Sequence, residues 1–102
     1  MKIDITQVFK NADDSPAFDA KTREPIILKT VLTNALLQDA GPQTSQEEKM
    51  RRYGLFQDLK KTTVGFVQWD VEDVAFVKKA VSASYPTLVV GQAFAMLEAG
   101  AL

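Results

Sequence analysis

The sequence predicts an α+β domain, with a small N-terminal antiparallel β-hairpin or three-stranded sheet packed on about four α-helices. Three observations carry this. Apolar and polar residues alternate at the start of the chain, turn-forming residues cluster before residue 30, and apolar residues recur at helical spacing beyond it. The chain has 102 residues, 46% hydrophobic and 25% charged, which suits one globular domain spanning 1–102 rather than a disordered chain or two domains. The reading is β-rich over 1–29 and helical over 30–100, with a short strand near 64–69.

Ile3, Ile5 and Val8 alternate with Lys2, Asp4 and Thr6, the period of a half-buried strand. Asn11 to Pro16 and Asp19 to Glu24 read as turns, and Pro25-Ile26-Ile27-Leu28-Lys29 reads as a second strand. Thr30 is placed to cap a helix running to about Asp39, with Val31, Leu32, Ala35, Leu36 and Leu37 apolar, ended by Gly41-Pro42. Thr44 or Ser45 starts the next helix, because both Thr44–Glu47 and Ser45–Glu48 have capping-box spacing. Met50, Tyr53, Leu55, Phe56 and Leu59 give that helix a broad apolar face, and Lys60 and Lys61 complement its C-terminal end.

Thr62 to Trp69 is rich in β-branched and aromatic residues and predicts a strand able to join the N-terminal sheet. Asp70 and Asp73 form a capping-box variant ahead of a stripe at Val71, Val74, Val77, Val81 and Tyr85. Tyr85-Pro86 breaks that helix, and Pro86 opens a last one that is apolar nearly all round and stops at Gly100. A helix of that kind is central to a core or covered by a partner.

The chemistry is bounded mostly by absences. The chain has no cysteine and no histidine, which excludes disulfides, thiolate metal sites and every mechanism built on a histidine base. Phosphate-binding loops and dinucleotide fingerprints are missing, so neither an enzyme nor a cofactor is expected. Asp70, Glu72 and Asp73 suit a cap better than a cation site, and Asp13 and Asp14 lack the glycine and distal glutamate of a calcium loop. The start has no signal-peptide run and no segment approaches membrane-spanning length, which leads us to expect a cytoplasmic protein.

Two surfaces stand out. Phe76 lies opposite the valine stripe beside Ala80 and Ala83, and with Val90, Phe94 and Leu97 of the last helix it forms the expected partner-binding surface. Lys49, Arg51, Arg52, Lys60 and Lys61 concentrate positive charge on one helix, an alternative nucleic-acid-binding surface, although the net charge of −1 argues against a general phosphate binder. Trp69 and Phe66 suit a core or a binding hot spot. Gly54 and Gly91 sit inside helical patterns, where glycine costs about 1 kcal/mol, and mark either close backbone approach or tolerated surface positions.

Leu32-Thr33-Asn34-Ala35-Leu36-Leu37, Glu47-Glu48-Lys49-Met50-Arg51-Arg52-Tyr53 and Tyr85-Pro86-Thr87-Leu88-Val89-Val90-Gly91-Gln92-Ala93 occur in that order. Together they resemble small uncharacterised proteins encoded by tailed bacteriophages and prophages. The resemblance implies expression in a bacterial host cytoplasm and a helper, regulatory or assembly role, and it transfers no functional residue. The leading expectation is a non-enzymatic interaction module that binds itself or a larger phage or host protein. The alternative is a nucleic-acid-binding regulator.

Overall fold

A computed structural model describes residues 1–38 and 44–99. Among them are four helices and a two-stranded antiparallel sheet: β1 (Lys2–Asp4), α1 (Leu28–Leu37), α2 (Gln46–Lys61), β2 (Phe66–Gln68), α3 (Val71–Ser84) and α4 (Thr87–Ala99). The α+β reading holds at this level. The expected ends of two helices at Asp39–Pro42 and Gly100 lie outside the described residues.

The sheet does not form within residues 1–29. β1 pairs with β2, with Lys2 opposite Gln68, Ile3 opposite Val67 and Asp4 opposite Phe66. Ile3 and Val67 point into the core, and on the outer face the Lys2 ammonium lies 4.0 Å from the centre of the Phe66 ring. Ile5 N–H donates to the Gly65 carbonyl just past the strand. A side chain at Gly65 would meet the Thr6 methyl at 3.0 Å, so Thr6 would have to give way to admit one.

Between β1 and α1 the chain pairs with itself only through single bridges: Val8 with Ile27, Lys10 with Pro16, and Phe18 with Pro25. Phe9 N–H donates to Ile26 O, Ile26 N–H to Ala17 O, and Ala17 N–H to Phe9 O, closing a triangle of backbone bonds. Pro16 and Pro25 have no N–H to give, which stops the bridges from growing into a ladder. Thus the segment Pro25–Lys29, read as a strand, contributes bridges at Pro25 and Ile27 and then turns into helix at Leu28.

Thr30 is not the cap of α1 but its third residue. The first turn is capped from a distance, since Leu28 N–H donates to Gln7 O and Lys29 N–H to Ile5 O. α1 then packs against α2, α3 and α4, which explains its wide buried stripe of Leu28, Val31, Leu32, Ala35 and Leu36. Ser45 caps α2 by accepting from Glu48 N–H. Asp70 and Asp73 close a reciprocal capping box on α3.

Val74, Val77 and Val81 are buried on α3, whereas Val71, in its first turn, is exposed. Tyr85 ends α3 in an extended conformation, and the Pro86 carbonyl accepts the first bonds of α4 from Val89 and Val90. Trp69 is 3% exposed, with its indole N–H donating to Asp58 Oδ2 at 3.1 Å, so this tryptophan is a core residue tied to α2.

Candidate functional site

The expected partner surface is brought together only in part. Phe76, Ala80 and Ala83 of α3 do share one cleft of about 230 Å³, bordered by Thr44, Glu48, Arg52 and Lys79. Ala80, however, is buried in the core, and Leu97 of α4 is completely buried. Neither is available to a partner, because the inward sides of α3 and α4 pack on one another and on α1. Phe76 is half-buried rather than bare. The Arg51 guanidinium lies 4.8 Å from its ring centre and that of Arg52 5.9 Å, so α2 shields it by cation–π contact. Val90 and Phe94 are half-buried, and Lys78 covers Phe94 at 5.4 Å while pairing with Glu98 at 2.9 Å.

What remains on α4 is its outward side. Thr87, Leu88, Gly91, Ala95 and Ala99 are exposed there, and a side chain built at Gly91 would meet nothing within 4 Å. The same holds for Gly54 of α2. Among the described residues, nothing outside its own helix packs against the open side of either glycine.

The basic residues divide into two sets. Arg52 Nη1 donates to Ala35 O at 3.0 Å and reaches Gln38 O at 3.5 Å, capping the carbonyl end of α1. Arg51 leans on Asp73 at 3.4 Å and on the Phe76 ring. These two arginines therefore hold α2 to α1 and α3. Lys49, Lys60 and Lys61 are exposed to solvent.

Sequence reasoning missed the apolar residues around those lysines. Met50 and Tyr53 belong to the face expected to be buried, yet they are 60% and 52% exposed; α2 instead buries Leu55 and Leu59, with Phe56 half-buried. Leu37, at the end of α1, is 54% exposed and lines a cleft of about 280 Å³ together with Leu36, Gln38, Lys49, Arg52 and Tyr53. The available signal was the phase of the helix, since Met50 and Tyr53 fall on the side of Lys49 and Lys60 and away from Leu55 and Leu59.

Three carboxylates have their pKa displaced by local hydrogen bonds. The Thr6 hydroxyl and N–H hold the Asp4 carboxyl below its ordinary pKa, and Ser15 does the same for Asp13. The backbone N–H groups of Lys21 and Thr22 lower Asp19. Asp4 ends β1 and the other two lie in loops, and lowering the pKa makes all three weaker bases. Among the described residues no three carboxylates gather as metal ligands, and no helix is long and apolar enough to cross a membrane. Comparison with protein-family models, with curated proteins and with solved structures found no match.

Proposed function

We propose that this chain is a non-enzymatic protein-interaction module that associates with a second copy of itself through α4. The observation that carries the reading is the character of the outward side of that helix. A helix exposed to water normally presents charged residues there. Glu98 is the single charged residue of α4, and Lys78 already engages it. Thr87, Gly91, Ala95 and Ala99 recur every fourth residue, and small side chains at that spacing let two helices approach closely. A two-fold contact would bury the same side of both copies.

A role as an accessory or assembly factor in a bacterial host cytoplasm belongs to this proposal and rests on the resemblance to small phage and prophage proteins. A larger phage or host protein is then the other candidate for the α4 face. Light scattering after size-exclusion chromatography, over a range of concentrations, tests the self-association. The wild type is expected to dimerise, and Ala95→Glu and Gly91→Leu to be monomeric while keeping the helical circular-dichroism spectrum. A wild type that stays monomeric throughout, or variants that dimerise as well as it does, would remove the reading.

A further inference from the structure

The outward face of α2 is a different kind of surface. At 3.6 residues per turn, Lys49, Met50, Tyr53, Lys60 and Lys61 fall within one sector of about 120°, and no acidic residue shares it. The acids of this helix lie outside that sector: Glu47 and Glu48 in the first turn, and Asp58 bound to the Trp69 indole. A merely solvated helix face mixes signs. Here Lys49 adjoins Met50 and Tyr53, both more than half exposed, Lys60 and Lys61 follow about two turns further along the same sector, and Leu37 joins Lys49 and Tyr53 across the cleft at the end of α1.

We infer that this face docks an acidic amphipathic segment of a partner protein. Carboxylates of the segment would meet Lys49, Lys60 and Lys61, and its apolar side chains would cover Met50, Tyr53 and Leu37. Charge complementarity sets the sign of the partner, and the three large apolar side chains set its amphipathic character. From Lys49 to Lys60 the face runs about 16 Å, roughly three helical turns of a partner. A nucleic acid would use the lysines and stack one base on Tyr53, but it would leave Met50 and Leu37 without a fitting contact. Protein is therefore favoured over nucleic acid. The inference goes beyond the α4 contact and does not depend on it, since the two faces belong to different helices.

Fluorescence anisotropy tests it with three labelled probes: a peptide of α2's own length, 16 residues, with glutamate and leucine at helical spacing; its lysine-for-glutamate counterpart; and a thymidine oligonucleotide. The wild type is expected to bind the glutamate peptide at least about tenfold more tightly than the lysine peptide, with affinity falling as salt rises. Lys49→Glu/Lys60→Glu and Tyr53→Ala should each weaken binding about tenfold or more. Ala95→Glu, on the α4 face, should bind like the wild type, which separates failure of this inference from failure of self-association. Equal binding of the two peptides, or no binding of either, overturns the inference. Binding of the oligonucleotide in place of the glutamate peptide overturns it in favour of a nucleic-acid surface.

Discussion

Trp69 shows how a single side chain is held by two different forces. Its ring system lies in the core and its polar edge reaches Asp58, so the indole N–H is not left unpaired by burial. Trp69→Phe keeps the aromatic contact but loses the bond to Asp58, which is exposed and can be solvated, and leaves space where the larger ring system was. We expect a loss of about 1–3 kcal/mol in chemical denaturation. Asp58→Ala should cost less than the tryptophan change. The double variant should lose less than the sum of the two, because both remove the same bond. Strict additivity would show that the bond contributes nothing. Arg52 is a contrasting residue: its Nη1 caps α1, while its Nε is buried with no hydrogen-bond partner among the described residues. Its role is mainly to orient one helix against another, and the sequence context of a basic run concealed that.

Helices in this chain begin by two separate means. α2 and α3 carry their own start signals in Ser45 and in the Asp70–Asp73 pair, where a side chain satisfies an orphan N–H one turn away. Asp70→Ala removes the side-chain cap on the Asp73 N–H and leaves only the weaker bond from the residue-70 N–H to the Asp73 carboxylate. It should cost about 1 kcal/mol, read as a lower urea midpoint with an unchanged denaturant slope. An unchanged midpoint would mean that packing of the valine stripe alone defines where α3 begins. α1 has no such signal of its own. Ile27 stands at its N-cap without a side-chain bond, and the carbonyls of Gln7 and Ile5 supply what the local sequence lacks. α1 thus depends on the N-terminal segment being in place, and its start is a tertiary event.

The molecule as a whole is joined by contacts distant in sequence. β1 reaches β2 across more than half of the chain, and the Gln92 side chain of α4 receives the Lys10 N–H and donates to the Lys10 carbonyl. Three carboxylates, Asp4 at the end of β1 and Asp13 and Asp19 in loops, are held ionised by hydrogen bonds from the residues that follow them. Because their pKa values are lower in the folded state, the unfolded chain binds more protons in acid. Their contribution to stability is fully present above the ordinary aspartate value of 3.8 and is lost as the pH falls through the lower folded values. Urea midpoints should therefore fall on acidification below that value, and the fall should be shallower in Asp13→Asn/Asp19→Asn. Identical pH profiles would show that these turns do not couple to global stability. The sites are open to solvent, so screening keeps each effect small.

The caps at Ser45 and Asp70, the break at Tyr85-Pro86 and the buried Val74–Val77–Val81 stripe were legible in the sequence. Each is a signal completed within a turn or two of backbone, so no knowledge of the remainder of the chain is needed to read it. That β1 pairs with β2 alone rather than with Pro25–Lys29, the start of α1 and the work of Arg51 and Arg52 were decided by tertiary structure, because each depends on groups supplied from elsewhere in the chain. The exposure of Met50 and Tyr53 belongs with them. Apolar periodicity marks which residues are able to be buried, but α2 buries mainly the Leu55–Leu59 side, and the width of that contact is set by the neighbouring helices. The lysines around Met50 and Tyr53 were visible from the start; that those apolar residues were left in water among them became visible only in the fold.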